Sequence, residues 1–330
     1  MKNRIALITV LILTSVLAFA QQKNAGVVKL RGTRLTHPLV NKWIAEFKKE
    51  YPDIKVAIAQ DAPADSIDFS IASYAISTKE LEGNKDAVVV TRYVQLPVVN
   101  SNRPGLAELQ EKGVKEKDLQ DLFFTDTAPV FLASSKSQSS LALYVRDRPV
   151  CAVKAFAAHY GNDPKKINGI AVKGDDKDLA EAVKKDINGI SFNNLGFIYD
   201  VTTRKIVKDL AIIPLDLNEN GKVDKDEQIY NTVDEVIAYI ERTKNPKFIN
   251  ERVNFIFDKG STNTSAAIFL NWVLNKGQKF NHDLGFINLE ENFLQEQKVI
   301  LKSNFKVSST SSCEGLDKLA QERKTTKSNN

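Results

Sequence analysis

The sequence predicts an α/β protein of two domains joined by two extended crossings, and three observations predict it. Short apolar runs alternate with amphipathic helical patterns along most of the chain, the mark of a parallel sheet flanked by helices. Ala87–Ser101 is a Val-rich run without a break, which reads as a segment passing between domains, and Arg252–Gly260 resembles it and reads as the return. The length, 330 residues, is enough for two cores at roughly 100–200 residues per domain.

The first twenty residues stand apart. Lys2 and Arg4 precede an apolar run, Ile5–Leu17, and then Ala18-Phe19-Ala20, which reads as a secretory signal peptide (residues 1–20) cut after Ala20. The run is shorter than the roughly 20 residues a membrane span needs. Taking two basic residues from a net charge of +5 leaves a mature chain at +3. That balance is too mild to argue for nucleic acid, and no Lys/Arg stripe interleaved with aromatics is present, so no nucleic-acid partner is expected. Two cysteines, Cys151 and Cys313, do not make a disulfide scaffold; an oxidising compartment permits a bond between them.

The elements follow in order. Gly26–Gly32 reads as a strand. A helix follows with Leu39, Val40, Trp43, Ile44 and Phe47 on one face, Thr36 as its N-cap, Pro38 in its first turn and Pro52 as its stop. Strands are expected at Ile54–Ala59 and Ile67–Ser73, helices near Gly105–Lys112 and Lys115–Phe124, and a strand at Leu141–Asp147. Ala152–Tyr160 and Lys177–Asp186 read as helices around a strand at Gly169–Gly174. The segments GISFNNLGFIYD and LAIIPLDL read as strands, and Val233–Arg242, Ser265–Phe280 and Leu289–Leu301 as helices. From Ser303 onward Ser, Thr and Lys dominate, which implies a disordered end, residues 303–330. The expected lobes are 21–90 with 252–302, and 91–251.

These segments carry a resemblance. HPLVNKWIAEFKKEYPDIKV, IDFSIAS, AVVVTRYVQLPVVNSNRPGL, GISFNNLGFIYD and AIFLNWVLNKGQKFNHDLGFINL stand in the order found in the phosphate-binding proteins of ABC transporters. The resemblance spans roughly Gly26–Leu289 and implies a two-lobed type II periplasmic-binding-protein fold with two hinge crossings. It also implies a periplasmic location, a small anion such as phosphate held in the cleft of a monomer, and hand-over to an ABC transporter permease.

The motifs that hold phosphate in that family are altered here. In the first, Gly32 and Thr33 precede Arg34, which stands where a binding hydroxyl is expected. The glycine-rich second loop is missing, and Tyr74 follows Ser73 where an aspartate is expected. The third motif aligns with Arg146-Asp147-Arg148-Pro149-Val150-Cys151-Ala152, which keeps Arg146 but replaces the Ser-Gly-Thr cradle. Each missing donor to a charged group costs about 1.5–3 kcal/mol, so the family's recipe for tight phosphate binding is not reproduced. Two readings stay open. Arg34, Arg146 and Arg148, with the phenol of Tyr74 and Cys151 at a helix start, clamp a different anion; or the arginines are solvated or paired with Asp61, Asp65 or Asp147. The second belongs to a family member without a small ligand that serves as an interaction or scaffold module in the envelope.

One further motif is independent of this. Asp216–Glu227, DLNENGKVDKDE, matches the twelve-residue Ca²⁺ loop at Asp216, Asn218, Asn220, Gly221, Asp224 and Glu227, with the Lys222 carbonyl in the seventh position. A strand pattern precedes it and there is one copy, so a structural Ca²⁺ is expected rather than a sensor. His37, His159 and His282 lack metal-ligand spacing, and no nucleophile elbow, P-loop or dinucleotide fingerprint is present, so no enzyme activity is expected.

Overall fold

The computed structural model describes residues 26–125 and 141–305; the signal peptide, residues 306–330 and Cys313 lie outside the described residues, whereas the first residues of the expected disordered end are ordered, Ser303 and Asn304 closing the last helix and Phe305 being buried. The first lobe opens with β1 (Gly26–Gly32), α1 (His37–Glu50), β2 (Ile54–Ile58) and β3 (Phe69–Ala72). Strand β1 pairs in parallel with both β2 and β3. Helix α1 forms where expected, with Pro38 in its first turn and Leu39, Val40, Trp43 and Phe47 buried. Thr36 precedes it but makes no side-chain cap; its hydroxyl donates to the Thr33 carbonyl instead.

The Val-rich run is one strand, β4 (Lys85–Asn100), with Val88–Val90 in one core and Val94, Leu96, Val98 and Val99 in the other. The second lobe then adds α2 (Leu106–Lys112), α3 (Glu116–Phe124), β5 (Ala142–Arg146), α4 (Cys151–His159), β6 (Ile170–Val172), α5 (Asp176–Lys185) and β7 (Gly189–Asn194). The stretch expected as one strand breaks after Asn194 into a single helical turn, α6 (Leu195–Ile198). Strand β8 (Leu210–Ile212) and α7 (Val233–Thr243) flank the twelve-residue loop.

Strand β9 (Ile249–Asp258) runs antiparallel to β4 from Gln95↔Ile249 to Lys85↔Asp258, so the two crossings lie side by side. Helix α8 (Thr264–Asn275), β10 (Phe286–Ile287) and α9 (Glu291–Asn304) complete the first lobe. Helix α8 ends before the expected Phe280, and Gly277–Phe280 is a separate 3₁₀ turn. Gly277 explains the break: its carbonyl accepts the indole N–H of Trp43 at 2.9 Å, and a Cβ on it would lie 3.1 Å from that nitrogen.

The main sheet order is β2-β1-β3-β9-β4-β7-β5-β6, with β8 and β10 also on β4. Two large apolar cores lie on it, one around Trp43, Phe47, Phe255 and Phe269 and one around Phe123, Phe156, Phe192 and Ile237. Ala155 of α4 packs with the first core although its helix belongs to the second. The lobes therefore touch through α4.

Candidate functional site between the lobes

Parallel strands expose their carboxyl ends to a shared crevice where the chain order switches. Here β1, β3 and β5 end at Gly32, Ala72 and Arg146. Gly32 is fixed by crowding: a Cβ there would lie 2.2 Å from the Ile71 carbonyl oxygen. The loops after β1 and β3 are consequently adjacent, with the Thr33 amide donating to the Ile71 carbonyl at 3.3 Å.

The crossing strand ties these loops to α4. The Tyr93 hydroxyl donates to the Ser73 carbonyl at 2.8 Å. Gln95 donates through Nε2 to the Tyr93 oxygen at 3.2 Å and to the Ala152 carbonyl at 3.0 Å. The Lys154 ammonium lies 4.4 Å above the ring of Tyr74, bridging the second lobe to the first. Tyr74 donates its own hydroxyl to Glu80 at 2.6 Å. Burial, and then the Glu80 carboxylate, hold the Tyr74 phenol protonated well above its ordinary range. Helix α4 starts without a side-chain cap, because Val150 is its N-cap and carries no acceptor. Ser73 is 0 % exposed, and among the described residues its hydroxyl and the Gln95 Oε1 have no hydrogen-bond partner.

Arg146, 6 % exposed, turns into its own lobe. It contacts Asp176 at 3.4 Å, donates to the Gly174 carbonyl, and leaves Nε without a partner. Asp176 opens α5 and is itself buried, and Asn193 donates to its backbone carbonyl at 2.7 Å. Burial pushes the Asp176 carboxyl up to about 6, with the Arg146 charge opposing the rise. Gly174 has φ +114°, and a Cβ there would collide with Asp178, so this turn requires glycine.

The remaining expected residues line the rim. Arg34 is exposed at the start of α1 and acts electrostatically on His37, whose pKa is lowered first by burial and then by Arg34. Asp175 of the second lobe opposes that shift, so the starts of α1 and α5 are within electrostatic range. Arg148 is exposed, 3.8 Å from Asp147. Cys151 lies within electrostatic range of Tyr74, which follows Ser73 in the chain. Arg146 is engaged by Asp176, and Arg148 is in solvent, so the three arginines do not form one clamp. Sequence reasoning missed Tyr93, Gln95, Lys154 and Asp176. Gln95 had a signal, as an amide inside an otherwise apolar run.

In the twelve-residue loop, Asp216 and Glu227 are buried, while Asp224 contacts Lys222, Asn218 and Asn220. Among the described residues no group of three His, Cys, Asp or Glu side chains is gathered closely enough to hold a metal.

No family model matches the sequence, and no curated protein matches it. Solved structures do. A candidate phosphate ABC transporter substrate-binding protein from Clostridium perfringens, solved with bound phosphate, superposes with TM-score 0.62 at 12% identity, covering 80% of this chain and 100% of that one. An ABC-type phosphate transport receptor from Vibrio cholerae gives 0.58 at 11% identity over 79% of this chain and 100% of that one. PstS from Borrelia burgdorferi gives 0.50 at 13% identity over 80% and 99%. The fold is the two-lobed type II periplasmic-binding-protein fold.

Proposed function

We propose that the chain is an exported solute-binding protein that captures a small oxyanion of the phosphate or sulfate class between its lobes for a membrane transporter. One observation carries the reading. A fully buried serine hydroxyl without a partner among the described residues lies on a loop that Tyr93 and Gln95 link to the uncapped start of α4. A hydroxyl in that position costs stability unless something accepts its hydrogen bond, and helix N-termini favour anions. The structural neighbours are binding proteins, which supports a non-catalytic role, an ABC permease as partner and a periplasmic location.

A second reading is favoured by Arg146, whose charge Asp176 already neutralises. Under it the lobes are held shut by the Lys154–Tyr74 contact and by Ala155 packed into the first core, and the chain is an envelope interaction module. Thermal unfolding with phosphate, sulfate and dicarboxylates separates the two. A ligand at 100 times its Kd adds about 2.7 kcal/mol. A rise in Tm with one of these anions is expected; none with any anion supports the module.

Asp176 makes a pH prediction for sulfate, which stays a dianion across this range. As pH falls through about 6 the carboxyl takes a proton, Arg146 loses its internal counter-charge, and sulfate binds more tightly. Burial, and then Arg34, keep His37 neutral to lower pH than an ordinary imidazole. Asp176→Asn should bind sulfate roughly tenfold tighter at pH 7.5, about 1.4 kcal/mol, and lose most of the pH dependence. Isothermal titration from pH 5 to pH 8 checks both, and equal affinities of the two proteins at pH 7.5 would refute the assignment.

A further inference from the structure

The twelve-residue loop between β8 and α7 lies in the second lobe and plays no part in the cleft reading. We infer that Asp216–Glu227 binds one Ca²⁺ ion, which neutralises two buried carboxylates and fastens the second lobe.

The oxygens are in the pattern a hard cation needs: side chains at positions 1, 3, 5, 9 and 12 and a carbonyl at 7. The fold wraps them inward. Asp216 accepts from the amides of Asn220 at 3.1 Å and Gly221 at 2.8 Å. Glu227 accepts from Leu217 at 2.8 Å, Asn218 at 3.1 Å and Asp224 at 2.8 Å, which closes the loop from its far end. Gly221, at φ +88°, makes the sharp turn that position six requires.

Charge is the independent observation. Asp216 is 1 % and Glu227 2 % exposed, and among the described residues neither forms a salt bridge. The lysine on the loop that pairs with an acid, Lys222, takes the outer carboxylate, Asp224, at 2.7 Å. Backbone amides offset the desolvation of these two carboxylates, but among the described residues no cation neutralises their charge. A divalent ion supplies the missing charge. The loop's three acids, Asp216, Asp224 and Glu227, are not gathered into one cluster among the described residues, because Asp224 turns outward to Lys222. The ninth ligand commonly reaches calcium through water, so Asp224 can keep Lys222.

The loop is braced on its surroundings. Val223 donates to the Glu111 carbonyl at 2.7 Å, Asp216 to Val114 at 3.0 Å, and Glu219 pairs with Lys247 just before β9. An ion here would hold α2, α3 and the start of the return crossing together. With one copy between a strand and a helix, it has no paired helix to swing, so it stabilises rather than signals.

Terbium luminescence tests this on the full mature chain. Tyr230 accepts the Leu215 amide at 3.1 Å, next to Asp216, and is placed to sensitise a bound lanthanide. Tyrosine-excited emission that Ca²⁺ competes away is expected, with half-displacement near the 10⁻⁴–10⁻³ M range typical of extracellular Ca²⁺ modules. EDTA should lower Tm by several degrees and excess Ca²⁺ restore it, with Mg²⁺ far weaker. Asp224→Asn, at an outer position, should fold and lose roughly tenfold in affinity. Glu227→Gln should abolish emission; circular dichroism establishes that it is folded. No emission and no Ca²⁺-dependent Tm would overturn the inference, as would wild-type Ca²⁺ affinity in both folded variants.

Discussion

Arg146→Ala is expected to destabilise the second lobe by about 3–5 kcal/mol. The stability loss follows from what is left behind. Arg146 and Asp176 are both buried, and removing one partner leaves a carboxylate in the interior with only the opening turn of α5 to satisfy it. Replacing the pair together by apolar residues of similar volume, Arg146→Met with Asp176→Leu, should recover most of that loss, because both desolvation costs disappear. Denaturant unfolding of the two proteins checks this. A single variant losing less than about 1 kcal/mol would place the pair in the class of solvated ion pairs.

Trp43→Ala should cost the first lobe about 3–5 kcal/mol, the usual range for a buried aromatic truncated in a core. The side chain is fully buried, its ring meets Phe255 edge-on at 6.2 Å, and its N–H satisfies the Gly277 carbonyl. Truncation therefore opens a cavity and orphans an acceptor at once. Trp43→Phe keeps most of the volume and should lose only about 1–3 kcal/mol. Guanidinium unfolding curves of the two variants separate packing from the hydrogen bond. Equal losses would mean that the Gly277 contact, rather than the cavity, sets the cost.

The readable part of this molecule was the part written in local pattern. Helix α1 and the crossing strand β4 were expected within a few residues, because amphipathic spacing and a long Val-rich run are properties of neighbours in sequence. Helix α8 ended early for a reason no local pattern holds: Gly277 is needed against Trp43, 234 positions away. The cleft shows the same division. Alignment put Ser73 and Cys151 on one cleft, and in the structure Tyr93 and Gln95 link the Ser73 carbonyl to the first turn of α4. Arg146 was expected to face the cleft or to pair with Asp61, Asp65 or Asp147, but its partner is Asp176, which in sequence looks like an ordinary acid at a helix start. Pairing across thirty residues is decided by which strand ends beside which helix, and that is visible only once β5 and α5 are packed.

A crystal structure of the mature protein grown with selenate tests the central claim most directly, because selenium reports its own position by anomalous scattering. The account predicts a peak between the lobes, within hydrogen-bond reach of the Ser73 hydroxyl and the first amides of α4. A cleft without a peak at saturating selenate, with Ser73 sealed by protein alone, would contradict it.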